Sequence, residues 1–140
     1  MTMYDLRIQE HLTSIRDGMR KVQRITQGLG AEPNQEDVEN ALLMREAVLS
    51  VEVDQKAMEL SASFPDWHAR VKNDEQLRKI LGEAEDLMRS IVRMDEAISM
   101  TLRRRMRTVE ARLTSLYKTS RAATSYTAQS KLRVASSFNV

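Results

Sequence analysis

Apolar residues recur along this chain at alternating steps of three and four, with polar residues between them. Ile8, Leu12, Ile15, Met19, Val22, Thr26 and Leu29 make the first such stripe, the spacing of one helix face. Arg16, Asp17, Arg20, Lys21 and Arg24 take the other face. The pattern predicts a helix from about Thr2 to Leu29. Gly28 and Gly30 stop it, and Pro33 bars its continuation. A phosphate-loop reading of Gly28-Leu29-Gly30 needs a preceding strand and a further glycine-rich run, and the sequence offers neither; the segment reads as a helix cap.

Asn34 is placed to cap a second helix, with Glu36 and Asp37 in its first turn where the helix dipole favours negative charge. This helix is expected from about Gln35 to Ser61. Val38, Leu42, Leu49, Val53, Ala57 and Leu60 are its predicted inner face, with Glu39, Glu46, Glu52 and Glu59 mostly outside. A break at Ser61–Asp66 follows, so the first two helices are expected to lie antiparallel. Pro65 opens a short helical turn carrying Trp67 and Val71, and Asn73 with Gln76 resembles a capping arrangement. From Leu77 the stripe hardly pauses: Ile80/Leu81, Ala84, Leu87/Met88, Ile91, Met94, Ile98, Leu102, Met106, Val109, Leu113, Leu116. One helix of more than forty residues is the simplest reading. Its far half outruns the two shorter helices, and must pair with another chain, fold back or stay partly exposed. Within the stripes, Leu42, Leu49, Leu81, Met88 and Ile91 are assigned to the folding core, and Met106, Leu113 and Leu116 to association.

The expected fold is therefore all-α: an antiparallel helical hairpin packed on one long third helix, a three-helix bundle with coiled-coil character. Residues 1–123 form the helical domain. Residues 124–140, rich in Ser and Thr but carrying Leu132, Val134 and Phe138, form a flexible basic tail. Composition agrees. Only 4 Gly and 2 Pro occur in 140 residues, and aromatics are 4%, too few turns for a sandwich, barrel or doubly wound sheet. The absence of Cys removes disulfides and thiolate chemistry and suits a reducing cytoplasm. No apolar run approaches the roughly 18 residues of a membrane helix, so no membrane insertion is expected.

Charge changes the picture more. Residues 1–100 hold 13 basic and 19 acidic side chains, whereas residues 101–140 hold nine basic ones and a single acid, Glu110. An acidic body with a basic end speaks of partners rather than of fold. Nucleic acid is the obvious anion for Arg103-Arg104-Arg105 with Arg107, yet no interleaved aromatics or helix-turn-helix pattern accompany them. Consecutive arginines also spread over about 200° of a helix rather than making one face. A solvated or partner-facing role is the better reading. Catalysis finds little support: His11 and His68 lie in separate segments, and neither has a Glu three residues before it, as a di-metal carboxylate site would require. The carboxylates Glu83, Glu85, Asp86, Asp95 and Glu96 read as solvated helix faces with Arg neighbours. The nine Met fill cores by default, but thioethers also make adaptable binding surfaces.

The layout resembles the flagellar type III export chaperones of the FlgN/FliT type. The similar segments are Ala41-Leu42-Leu43-Met44-Arg45-Glu46-Ala47-Val48-Leu49 in the second helix, Leu87-Met88 with Ile91, Asp95, Ile98 and Leu102 in the third, and Arg121-Ala122-Ala123-Thr124-Ser125-Tyr126 near the end. The final Ser136-Ser137-Phe138-Asn139-Val140 departs from the endings of that family. The resemblance implies a cytoplasmic chaperone without cofactor or catalysis. Such a protein binds the amphipathic C-terminal segment of a secreted hook-associated or filament-cap protein, keeps it from assembling early, and docks on an export-gate protein. It implies Leu102, Met106, Val109, Leu113, Leu116 and Tyr117 as partner-binding residues, with Tyr126 the nearest match to a gate-contacting Tyr and Tyr117 the fallback. A dimeric coiled-coil scaffold (a homodimer) or a structural protein of the secretion apparatus is the alternative, and a nucleic-acid-binding helical protein the third reading.

Overall fold

A computed structural model describes residues 2–132, with side chains as far as Ala123. The elements are α1 (Met3–Gln27), α2 (Gln35–Val48), a π-helical segment (Leu49–Asp54), α3 (Gln55–Ser63), α4 (Trp67–Lys72) and α5 (Glu75–Leu132). No strand occurs among the described residues, and the all-α expectation holds. The chain separates into two compact units, residues 1–99 and 100–140. The α5 backbone is helical through Leu132, beyond the point where apolar periodicity fades. The expected tail beyond it, residues 133–140, lies outside the described residues.

Local chemistry sets the boundaries. Thr2 caps α1 by accepting from the Asp5 amide at 3.1 Å. Gly30 sits at φ +70°, a left-handed turn open to glycine at little cost. Asn34 caps α2 as expected, accepting from the Asp37 amide at 2.8 Å. At the start of α5 the cap is Asp74, which accepts from the Leu77 amide at 3.0 Å, not Asn73. Asn73 still belongs to the preceding turn, its own amide donating to the Arg70 carbonyl, so it cannot begin the next helix.

In the first unit, α1 runs antiparallel to the second rod (α2, the π segment and α3). Tyr4 meets Phe64 edge-on, His11 pairs with Glu59, and Lys21 pairs with Glu52. Against α5 the same helix runs parallel: Arg16 pairs with Glu83 at 3.1 Å and Gln23 bonds Ser90 at 3.1 Å. Ile8, Leu12, Leu60, Phe64, Val71, Leu77 and Ile80 form the buried cluster where α1, α3, α4 and α5 converge. Burying each Leu or Ile there contributes roughly 1.5–3 kcal/mol.

The π segment interrupts what the sequence pattern presents as one regular helix. Ala41, Arg45, Leu49, Val53 and Ala57 succeed one another at steps of four, and all are buried or half-buried. In a strict α-helix each such step drifts by about 40°, and four of them would carry Ala57 far around the helix from Ala41. The under-wound turn removes that drift. It also shifts the inner face of this rod, which corrects one core assignment: Leu42 is 52% exposed, with Ala41 buried in its place. A second correction falls on α5, where Met88 is 48% exposed and the adjacent Leu87 is half-buried. Ile91 is buried, while Leu49 and Leu81 are half-buried.

Gly18 explains how α1 comes so close to this turn. It is buried mid-helix, and a Cβ added there would lie 2.9 Å from Val53 Cγ2 and 3.1 Å from Glu52 Cβ. Nearby, the Ser14 hydroxyl donates to the Glu52 carbonyl at 3.5 Å.

Candidate functional site

Within the second unit the stripe continues, but its environment changes. Leu102 is half-buried, whereas Met106, Val109, Leu113, Leu116 and Tyr117 are between 51% and 66% exposed. At about 100° per residue, all five lie within about 60° of Leu102 around the helix axis. The structure thus places six of the partner-binding candidates on one helix face; the Tyr126 side chain lies outside the described residues. Steps of four and three from Leu102 to Leu116 average 3.5 residues, the period of a seam that packs on another helix.

The same arithmetic sorts the charges. Arg103, Arg107, Lys118 and Arg121 fall on one side of the apolar face, and Arg105 and Arg112 on the other. Glu110 is the only acid among residues 101–123, against seven basic residues. The triple arginine by itself scatters, but the wider basic set borders the apolar stripe on both edges. Such an element offers apolar contact along its centre and favours negative charge at its rims.

A second exposed apolar surface escaped the sequence reading. On the second rod Leu43, Met44, Val51 and Met58 are between 58% and 73% exposed, and Ala47 and Ala62 are exposed as well. Leu43, Ala47, Val51, Met58 and Ala62 follow the outward face, opposite Ala41, Val53 and Leu60. The exposed acids Glu39, Glu46 and Asp54 keep to one side of it. The available signal was the run Leu42-Leu43-Met44, which puts apolar residues on more than one face of a short helix.

Other polar groups have structural partners. Arg45 and Asp95, which sit in two of the segments carrying the chaperone resemblance, form a two-pronged pair at 2.7 and 2.9 Å. This geometry clamps α2 to α5. Glu83 receives both Arg16 and Arg20. Tyr4 donates to Asp66, and Arg70 lies over the Tyr4 ring, 4.7 Å from its centroid. That hydrogen bond holds the Tyr4 hydroxyl above its ordinary pKa and the Asp66 carboxyl below its own. Glu59 is likewise held low, chiefly by the hydrogen bond from Lys56. His68 stacks on Trp67 at 3.6 Å between ring centroids. Among the described residues no group of three His, Asp or Glu side chains is placed to hold a metal ion. No helix there is long and apolar enough to cross a membrane.

Searches against family models, curated proteins and solved structures each returned no match for this chain.

Proposed function

We propose that the chain is a binding protein without catalytic activity: a cytoplasmic export chaperone of the flagellar type III kind. It takes the amphipathic C-terminal helix of a hook-associated or filament-cap protein onto the α5 stripe, holds it unassembled and hands it to an export-gate protein. One observation carries this reading. Met106, Val109, Leu113 and Leu116 form an uncovered helical seam with a 3.5-residue period, built partly from adaptable thioether and leucine side chains. The resemblance in the Ala41–Leu49, Leu87–Leu102 and Arg121–Tyr126 segments supplies the class of partner. Tyr126, with Tyr117 as fallback, is assigned the gate contact.

Isothermal titration of the purified chain against C-terminal segments of hook-associated and filament-cap proteins tests the proposal. The expected result is one-to-one binding that weakens at least about tenfold in Leu113→Ser, as for a buried anchor in a helix groove, with the circular dichroism of the chain unchanged. Absence of binding to every such segment refutes the export reading.

A further inference from the structure

The two exposed apolar surfaces are complementary to one another. The basic surface is residues 102–121 of α5, with its Leu, Met and Val seam bordered by Arg on both edges. The acidic surface is the outward face of the second rod, residues 43–62. Five of the seven acids in residues 35–63 are exposed, Glu36, Asp37, Glu39, Glu46 and Asp54, while Glu52 and Glu59 pair within the fold; residues 101–123 carry seven basic side chains and one acidic. Each surface extends over about five helical turns, or roughly 30 Å. The apolar line Leu43, Ala47, Val51, Met58 matches the length of the line Leu102, Met106, Val109, Leu113, Leu116, each a little over 20 Å at about 1.5 Å per residue.

We infer that the occupant of the basic seam, in the absence of any other protein, is the second rod of another copy of this chain. Charge decides against seam-on-seam pairing between copies, because that would set seven basic residues against seven with one Glu on each side. Parallel, in-register seams would bring Arg103, Arg105 and Arg112 against their own counterparts, antiparallel seams would set them against other basic residues of the same stretch, and like charges across an interface oppose association. Rod-on-rod pairing meets the same objection with acids. Seam on rod is the combination that covers apolar surface and pairs opposite charge together. The contact uses two different patches, so it is heterologous; reciprocal exchange between two copies closes it into a dimer, and one-way docking extends it into a chain. Glu39, Glu46 and Asp54 are the acids placed to meet arginines from the seam.

This inference goes beyond the export reading and needs no client, so purified full-length chain suffices to test it. Sedimentation velocity over a concentration series, at low and high salt, reads the association. The wild-type chain is expected to self-associate, more weakly as salt rises. Arg103→Glu with Arg107→Glu, or Glu39→Lys with Glu46→Lys, should each weaken association at least about tenfold, since each sets like charges across the contact. Combining all four substitutions in one chain should restore it to within about threefold. Val51→Ser and Leu113→Ser, both at exposed positions, should each weaken it while leaving the far-ultraviolet spectrum intact. A monomeric wild-type chain overturns the inference, whether the seam is then free, folded back or reserved for a foreign helix. Association that is indifferent to both reversals, or that the combined variant fails to recover, overturns it equally. Neither result bears on whether a secreted client binds.

Discussion

Replacing Gly18 by Ala should destabilise the protein, although helix propensity alone argues the reverse. In an exposed helix interior Gly→Ala gains roughly 0.8–1 kcal/mol. At Gly18 the new methyl would stand 2.9 Å from Val53 Cγ2 and 3.1 Å from Glu52 Cβ. Neither obstacle is the far end of a flexible chain. Val53 is buried and stiff at χ1, and the Glu52 Cβ is fixed by the backbone of the π segment. Relief requires α1 and the π segment to separate, and overpacking of this kind costs about 1–3 kcal/mol. The expected net loss is on the order of 1 kcal/mol. Gly82 is the internal control: it too lies within a helix, but nothing would meet its Cβ within 4 Å. Gly82→Ala should therefore stabilise by the full propensity gain, about 0.8–1 kcal/mol. Urea denaturation followed by circular dichroism measures both. In the Gly18→Ala background, Val53→Ala should cost less than it does in the wild type, a coupling of about 0.5 kcal/mol or more. Equal stabilisation by the two glycine replacements would refute the close approach between α1 and the π turn.

Two further outcomes follow from the same structure. Leu12→Ala, at a fully buried position of the core cluster, should cost about 2–5 kcal/mol, whereas Leu113→Ala, 59% exposed, should change folding stability by less than about 0.5 kcal/mol; similar losses in thermal melts would deny the different roles of the two stretches. The Tyr4–Asp66 hydrogen bond lowers the folded-state pKa of Asp66 and raises that of Tyr4. The Asp66 contribution is thus complete above its unfolded value near 3.9 and is lost as pH falls through its lower folded value. The Tyr4 contribution is complete below about 10 and is lost as pH rises through its higher folded value. An NMR titration in which Tyr4→Phe leaves the Asp66 midpoint unmoved would show that the phenol is not its partner.

Much of the first unit is readable in the residues because its determinants are local. Glycine and proline at Gly28–Pro33, the Asn34 cap and the Pro65 turn act within a few residues, and the structure breaks where they fall. The Leu42 assignment fails for a physical reason: a heptad template assumes constant winding, and the second rod unwinds by a π turn. A clue was present in Ala41, Arg45, Leu49, Val53 and Ala57, where steps of four persist too long for an α-helix. Gly18 gave no comparable warning. A lone glycine inside a helical pattern marks either weakness or close approach, and only the position of Val53 in space distinguishes them. The Arg45–Asp95 clamp is silent for a related reason, since 50 residues separate its partners and each taken alone reads as surface charge.

The α5 stripe shows where such reading stops. From Leu77 to Leu116 the apolar positions keep a helical spacing, with no change in residue type at the point where burial ends. Periodicity records that a face is meant to be covered; it does not record by what. Ile80 and Ile91 are covered within their own chain, while Met106 and Leu113 are exposed. The distinction lies in the flanking charges. Alongside Ile80 and Ile91 the stripe is bordered by acids with Arg partners, such as Glu83 with Arg16 and Asp95 with Arg45. Alongside Met106 and Leu113 the borders are almost wholly basic and find few acids nearby in sequence. On the proposal made above, a helix that keeps its apolar seam while its rim turns from mixed to basic is suited to an acidic surface outside its own fold. The charge boundary near residue 100 falls at the division between the two units, as that proposal requires.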